Sequence, residues 1–255
     1  MNLTAATWTD ADSVETDLAV LPVGSTEQHG PHAPLGTDCL TAEAIAEAGA
    51  SEADPEVVVA PTIPVGIAEE HRQFTGTLWV QPETFRSYVR ETVASLAHHG
   101  WDRVVIVNGH GGNVDALSEV GARLTRDETA YTVPFTWFDS VNMDDIREQV
   151  SDADDIGMGH GGPVETSILR HLQPELVRTE RLSEADAGAA SGWGEWQSGV
   201  NLAYDSAEFS ENGAVGKPSE SSTELGETLY SEAVSNLASL LETVAERDIG
   251  RPGHK

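Results

Sequence analysis

The amino-acid sequence predicts an α/β fold, a three-layer sandwich in which helices cover both faces of a mainly parallel sheet. Two observations support this prediction. Apolar segments rich in β-branched residues alternate with segments of helical spacing, and this alternation is typical of parallel sheets. One apolar segment, RVVIVN at residues 103–108, has almost no polar residue, as expected for a strand covered on both faces.

Each predicted strand is a short β-rich run that ends at a turn or at a proline. The first, residues 17–24, reads DLAVLPVG. The second, residues 56–60, reads EVVVA and is followed by Pro61 and Pro64, which break regular structure. The third and fourth strands are assigned to residues 103–108 and 130–137. Ligands of parallel α/β sheets bind at the carboxyl ends of the strands, so functional side chains are expected there.

The predicted helices lie between and after these strands. Residues 82–99 give the clearest signal, because four apolar residues share one helical face: Phe85, Val89, Val93 and Leu96. The other predicted helices cover residues 41–50, 114–126, 162–171 and 219–247.

Few boundaries divide the chain. Residues 186–216, rich in Gly, Ala, Ser and Trp, are predicted to form a loop. No internal repeat and no clear linker occurs in the sequence. We therefore expect a single domain over residues 1–255, with residues 251–255 as a loose tail.

The chain is strongly acidic: 43 Asp and Glu against 14 Lys and Arg give a net charge of −29. Acidic side chains spread along the whole chain repel one another in dilute salt, whereas molar salt screens them beyond about 3 Å. We expect a cytosol rich in salt, as in a halophilic archaeon; an ordinary acidic protein is the alternative. The same charge argues against a nucleic-acid partner, because phosphates would be repelled.

Other composition features exclude further classes of protein. The sequence has no run of about 18 apolar residues, so we expect no membrane partner. Residues 1–10 lack a basic region followed by an apolar stretch, so we expect no signal peptide and a cytoplasmic location. Cys39 is the single cysteine, which excludes an internal disulfide framework.

Polar residues that suit a metal follow the first predicted strand. Glu27 and His29 are two residues apart, so in extended backbone their side chains point to the same side. A carboxylate and an imidazole on one side can bind a metal ion together. Asp38, eleven residues after Glu27, has two carboxylate oxygens and can bridge two ions.

Two glycine-rich motifs add further candidates. In NGHGGN, residues 108–113, the third strand ends and His110 follows at its carboxyl end. A phosphate-binding turn is the alternative for this motif, but it matches neither a Walker loop nor GxGxxG. In HGGPVETS, residues 160–167, His160 precedes a predicted helix that contains Glu165. A loop histidine near metal ions suits general acid/base catalysis, because its pKa lies near neutrality.

Taken together, LPVGSTEQHGPHAPLGTD, NGHGGN and HGGPVETS resemble the signature segments of the creatininase family, and the resemblance covers nearly the whole chain. It implies an α/β sandwich, two divalent metal ions (Zn, Fe or Mn) and a homo-oligomer, often a hexamer. It also implies that Glu27 and His110 hold one metal, that His29 helps to hold the other, and that Asp38 bridges them. His160 matches the position of the family's catalytic histidine.

The sequence departs from true creatininase at one position. There, a glutamate ligand of the second metal stands two residues after the histidine that corresponds to His110; here that position is Gly112. The departure makes creatinine a less favoured substrate. We expect Glu165 to supply the missing ligand.

Relatives with NGHGGN suggest the substrate. They include archaeal enzymes that remove a formyl group from a pyrimidine nucleotide on the route to riboflavin and deazaflavin, and a peptidase that matures mycofactocin. The predicted salt-rich setting ranks the formamide of 2-amino-5-formylamino-6-ribosylaminopyrimidin-4(3H)-one 5'-monophosphate first. Creatinine, another small cyclic amide and a mycofactocin-type peptide are alternatives. A metal-binding protein without turnover is the alternative outside the enzymes.

Rival hydrolase classes lack their motifs, since neither GxSxG nor HExxH occurs in the chain. Arg72 or Lys217 could grip a substrate phosphate, with surface charge pairing as the alternative. Trp193 and Trp196 could cover the pocket, with packing as the alternative. His71 is a candidate for a subunit contact or the pocket rim. Cys39 is expected to pack and not to bind metal.

Overall fold

A computed structural model of the protein describes residues 1–144, 146 and 157–250. Its central sheet has four parallel strands in the order β2-β1-β3-β4. The strands are β1 Leu18–Val23, β2 Val58–Val59, β3 Arg103–Asn108 and β4 Tyr131–Thr136. The predicted α/β fold with a parallel sheet is confirmed.

Three strands end at the same level of the sheet. Val23 at the end of β1 pairs with Asn108 of β3, and Asn108 pairs with Thr136 of β4. Chain segments that follow β1 and β3 therefore start side by side. The edge strand β2 is shorter than predicted, because Pro61 has no N–H to donate to β1. Beyond Pro61, the chain pairs with β1 again at an isolated bridge between Ile63 and Val23.

Among the described residues, five helices lie at the predicted positions with shifts at their ends, and three short helices at residues 8–12, 137–140 and 182–188 were not predicted. They are α1 Trp8–Asp12, α2 Thr37–Glu52, α3 Pro82–His98, α4 Val114–Arg126, α5 Trp137–Ser140, α6 Pro163–Leu172, α7 Leu182–Gly188 and α8 Thr223–Glu246. α8 begins four residues after its predicted start. The shift that affects the site is in α2, which begins four residues before the predicted start at Thr41. Asp38 therefore lies in the first turn of a helix, where the helix dipole favours a carboxylate.

Side chains of β1 alternate between two apolar layers. Leu18 and Val20 pack on one side with residues of α2, α6 and α8. Ala19 and Leu21 pack on the other side with residues of α3 and α4. The four apolar residues that predicted α3 are all buried in this second layer. Burial on both faces explains why the strands lack polar residues.

The predicted loop at residues 186–216 is partly wrong. It contains a hairpin of β5 Trp196–Gln197 and β6 Val200–Asn201. The turn between them is Ser198 and Gly199, with φ of 53° and 81°, as a two-residue hairpin turn with twisted strands requires. Strands of two residues are too short to give a period in the sequence.

The predicted tail at residues 251–255 lies outside the described residues, and the single domain stays a prediction. Among the helices that the structure describes, none is long and apolar enough to cross a membrane.

Candidate metal centre

The four predicted ligands Glu27, His29, Asp38 and His110 converge at the carboxyl end of the sheet, and each is at most 4% exposed. Glu27 and His29 follow β1, and His110 follows β3, so the shared level of the strand ends brings them together. Asp38 reaches them from the first turn of α2. The structure thus supports the predicted convergence of these four side chains.

Close contact between the backbones of Gly109 and Asp38 determines where Asp38 lies. A Cβ atom at Gly109 would lie 3.0 Å from the carbonyl carbon of Asp38 and closer still to its oxygen. Only glycine leaves room for the start of α2 to touch the end of β3 here. The motif glycine therefore sets the approach of the Asp38 carboxylate to His110.

Glu27, Asp38 and His110 form the first group of ligand atoms. Nδ1 of His110 lies 3.0 Å from Oε2 of Glu27 and 3.4 Å from Oδ2 of Asp38. Two carboxylate oxygens and one imidazole nitrogen thus face a common point, and this set of residues has the spacing of a metal-binding group.

Asp38, His29 and Glu165 form the second group. Nε2 of His29 lies 3.0 Å from Oδ1 of Asp38 and 3.7 Å from Oε1 of Glu165. Glu165 is in the first turn of α6, as the predicted helix implied. Asp38 therefore offers one oxygen to each group, and Glu165 lies beside His29 in the second.

Hydrogen bonds to backbone carbonyls fix the tautomers of two ligand histidines. Nε2 of His110 lies 2.6 Å from the carbonyl of Ile67, and Nδ1 of His29 lies 3.2 Å from the carbonyl of Glu27. A carbonyl only accepts, so these nitrogens carry the hydrogens. The opposite nitrogens, which face the carboxylates, then carry lone pairs in the neutral rings.

Several buried atoms of the cluster have no hydrogen-bond partner among the described residues: both carboxylate oxygens of Glu27, Oδ2 of Asp38 and Nε2 of His29. Buried polar atoms normally find a partner, because an unpaired one costs free energy. Lone pairs that face each other at about 3 Å are stabilised by a positive charge between them. The donor set therefore fits divalent cations.

The pKa shifts of the histidines in the cluster also indicate that bound positive charge is favoured there. Burial works to lower the pKa of His29 and of His110, but the carboxylates beside them outweigh burial and hold both pKa values well above the ordinary value. Burial raises the pKa of Glu27 to about 7. The negative potential of the carboxylates thus attracts either protons or cations.

His160 lies beside the second group with a free lone pair. Its Nε2 donates to the carbonyl of Gln28 at 2.6 Å, so Nδ1 faces the cluster, 3.7 Å from Oε1 of Glu27. Its ring centroid lies 4.3 Å from that of His29. Burial and the charge of His29 lower the pKa of His160 to about 4, below the near-neutral value expected from the sequence, so the ring is neutral at pH 7.

Sequence reasoning did not identify His71 as part of the site. The structure places it in the 3₁₀ turn Glu69–His71 with 1% exposure, and its Nε2 lies 3.5 Å from Oε1 of Glu27. Its ring stacks on His160 at 4.3 Å. The prediction of a rim position is corrected: His71 is buried within the site. His71 lies in EHRQFTGT, residues 70–77, a further segment that resembles the creatininase family and that could have identified it.

The structure gives a physical reason for Gly112. A Cβ atom there would lie 2.5 Å from Nε2 of His110 and 2.9 Å from Oε1 of Glu70. A side chain at this position would displace the hydrogen bond that orients His110. The backbone of this chain is therefore incompatible with a ligand at position 112.

The remaining candidates lie away from the two groups. The thiol of Cys39 donates to the carbonyl of Ser25 at 3.2 Å, and burial raises its pKa to about 12. Arg72 pairs with Asp205 at 2.8 Å. The ammonium of Lys217 lies 2.9 Å from Glu220. None of Cys39, Arg72 and Lys217 contributes to the metal-binding groups.

A cavity of about 500 Å³ opens above the cluster. Residues of the site that line it include Glu27, His110, His160 and Glu165. The apolar side chains of Phe138, Met158 and Trp193 form part of its wall. Trp193 contacts the ring of His160 edge-on, at 5.9 Å between centroids, whereas Trp196 is 64% exposed and does not line the cavity. Among the described residues that line the cavity, none is Lys or Arg.

Comparisons with known proteins identify the relatives of this chain. A family model named Creatininase and described as creatinine amidohydrolase matches residues 4–241. The mycofactocin precursor peptide peptidase of Mycolicibacterium smegmatis is 36% identical over 228 residues, which are 87% of this chain and 83% of that protein. A crystal structure of creatinine amidohydrolase (creatininase) matches with a TM-score of 0.82 at 24% identity, covering 97% of this chain and 98% of that chain. A structure described as "Creatininase Mn" matches with a TM-score of 0.81 at 23% identity, covering 96% and 99%.

Proposed function

Because the chain belongs to the creatininase family, we propose that it is an amidohydrolase that uses two divalent cations to break an amide C–N bond. The observation that carries the proposal is the division of Asp38 between two groups of ligand atoms, with Oδ1 toward His29 and Oδ2 toward His110. Such a shared carboxylate suits a pair of metal ions a few Å apart.

The residues of the two groups would hold the cations. Glu27, Asp38 and His110 would hold the first. His29 and Glu165, whose ligand atoms also lie close to those of His160, would hold the second together with the Asp38 oxygen that faces His29. When bound, such a pair polarises a carbonyl and lowers the pKa of water. Carboxylate and imidazole ligands suit Zn, Mn or Fe, and the relative described with Mn supports that range.

His160 is proposed to move the proton. Nδ1 of His160 has its lone pair toward the cluster, so it can take a proton from the attacking water and give it to the leaving nitrogen. On the other side of the ring, Nε2 of His160 donates to the carbonyl of Gln28, and this hydrogen bond fixes the ring orientation. As the ring gains charge, Oε1 of Glu27 at 3.7 Å and the nearby Glu165 stabilise it.

A short peptide is our first choice of substrate. The peptidase relative covers most of both chains at 36% identity. The cavity offers apolar and acidic side chains but, among the residues described in its wall, no Lys or Arg to bind a phosphate. The nucleotide formamide, ranked first from the sequence, is therefore placed second, and no comparison supports it. Creatinine ranks below both, because Gly112 has no side chain to act as a ligand.

Metal removal and a substrate panel test the proposal. Metal-free protein, in high salt, is given Zn²⁺, Mn²⁺ or Fe²⁺ and offered a precursor-type peptide, the formylamino-pyrimidine nucleotide and creatinine. We expect chelation to abolish peptide hydrolysis and the added metal to restore it. Asp38→Asn should lower the metal affinity by more than about 100-fold. The variant should lose activity as a result. The exposed Asp115→Asn is the matched control.

One result would overturn the proposal. If the protein binds metal in the expected ratio but hydrolyses no amide in the panel, it is a metal-binding protein without turnover.

A further inference from the structure

Four imidazoles meet around the carboxylates of Glu27 and Asp38, and three of them present a lone pair toward this cluster when neutral. In His29, His110 and His160 the outer nitrogen faces a backbone carbonyl, which requires an N–H on that side. The inner nitrogen of each neutral ring is then a lone pair. His71 is the fourth ring, and its outer nitrogen has a different kind of partner.

The outer nitrogen of His71, Nδ1, lies 2.8 Å from Nε2 of Gln28. The orientation of the Gln28 amide is fixed by two backbone groups. Its Oε1 accepts from the N–H of Gly30 at 2.8 Å, and its Nε2 donates to the carbonyl of Gly213 at 3.0 Å. The amide nitrogen has two hydrogens and no lone pair to offer, so its second hydrogen is directed at His71. Nδ1 of His71 is therefore an acceptor.

A second neighbour, Ser206, does not decide the assignment. Its hydroxyl donates to the carbonyl of Glu70 at 3.0 Å and lies 3.0 Å from Nδ1 of His71. Because that hydroxyl has one hydrogen, the contact with Nδ1 fixes no tautomer, and the assignment rests on the amide of Gln28. The hydrogen of the neutral His71 ring is then on Nε2, which is the nitrogen that faces Glu27 and the cavity.

This tautomer changes the interpretation of one apparent metal site. The ligand-type atoms of Glu27, His71 and His160 lie within 4.8 Å of one another. An N–H has no lone pair for a cation, so His71 does not complete a third metal group as the ring is held here. It presents a hydrogen-bond donor beside the two groups described above.

We propose that His71 is not a metal ligand but a hydrogen-bond donor, through Nε2–H, to the substrate carbonyl oxygen as it becomes negative. The proposal rests on the proposed amide hydrolysis. Attack of water forms a C–O bond and moves the carbonyl π pair onto oxygen, and the His71 N–H stabilises that charge. The pair on oxygen then re-forms the carbonyl as the C–N bond breaks, and the electron pair of that bond, now on nitrogen, takes up the proton that His160 removed from water.

The packing of His71 holds this donor in place before substrate arrives. The ring stacks on His160 with an interplanar angle of 21°, and Trp193 contacts it edge-on at 5.7 Å. Gln28 and Ser206 hold its outer nitrogen. A donor that is already in place does not have to reorient during the reaction. This is the condition for strong stabilisation of a developing charge.

Two variants separate a donor from a ligand. In His71→Gln the amide NH₂ reaches the place of Nε2, whereas in His71→Asn it reaches only the place of Nδ1. We expect His71→Asn to lower kcat by about 10²–10³-fold, the usual loss for one such donor, with KM little changed. His71→Gln should recover most of the loss. Both should keep the metal content of the wild type, as should the exposed control His98→Asn.

The tautomer can be measured without turnover. In ¹⁵N-labelled, Zn-loaded protein, long-range ¹H–¹⁵N correlation spectra distinguish a ring nitrogen with a hydrogen from one with a lone pair. We expect His71 to show the hydrogen on Nε2, and His71→Asn to identify its signals by their loss.

Several results would contradict this role. A hydrogen on Nδ1 of His71, a zinc shift at its Nε2, the loss of a metal ion in His71→Asn, or an unchanged kcat in that variant would each overturn it. If wild-type protein hydrolyses no amide, the proposed function fails, and the spectrum still decides the tautomer.

Discussion

The carboxylate of Asp38 sets the geometry of the site at the scale of single residues. Its two oxygens lie 3.0 Å from His29 and 3.4 Å from His110, so one short side chain joins two groups of ligand atoms. Glu165 completes the second group from a different helix and a distant part of the sequence. Its other oxygen accepts from the N–H of Gly161 at 2.6 Å, which aims the side chain.

Substitution of Glu165 tests the second group. Glu165→Gln keeps an oxygen for Gly161 but removes the negative charge, so we expect metal content to fall from two ions per chain toward one, with a loss of activity. Elemental analysis of dialysed protein, with the exposed Glu175→Gln as a matched control, measures this. Two ions per chain and full activity in Glu165→Gln would show that the ligand comes from elsewhere.

At the scale of elements, the site depends on how α2 meets the end of β3. The sequence predicted β3 and α4 with the bounds that the structure has, because β3 is an uninterrupted apolar run and α4 lies between a glycine-rich turn and the next β-rich run. It placed the start of α2 too late, because Asp38 and Cys39 give no helical period. The early start matters, since it turns Asp38 toward His110 from the first turn of a helix.

Gly109→Ala tests this contact. The added methyl would overlap the backbone of Asp38, so we expect a loss of about 1–3 kcal/mol in the free energy of unfolding, as for other overpacked sites, and weaker metal binding. Gly111→Ala is the control, because a Cβ there meets nothing within 4 Å. Thermal or denaturant unfolding of metal-free protein measures the difference. Equal stability in the two variants would mean that α2 does not need this close approach.

For the whole molecule, the dominant property is the net charge of −29. Acidic side chains cover the surface, and three more carboxylates, Glu27, Asp38 and Glu165, meet in the cluster. Repulsion between surface charges opposes the compact state unless salt screens it. The predicted homo-oligomer, which would bring such surfaces together, stays a prediction.

Salt titration tests the predicted salt-rich setting. We expect activity and the near-UV circular dichroism signal to be lost below roughly 0.5 M KCl, where screening weakens, and to return when salt is restored. Metal content measured on the same samples separates loss of structure from loss of metal. Full activity and an unchanged spectrum in dilute buffer would identify an ordinary acidic protein.

The sequence by itself determined the α/β class, the strands and most helices, because hydrophobic period and turn residues are local properties of the chain. It also identified Glu27, His29, Asp38 and His110 by residue type and position after the strands. The tertiary structure decided what depends on contacts between distant segments. Gln28 sets the tautomer of His71, the carbonyl of Ile67 sets that of His110, and the packing at Gly112 leaves no room for a ligand. No local pattern encodes such contacts, since each partner lies more than 40 residues away or across a turn of backbone that only the fold defines.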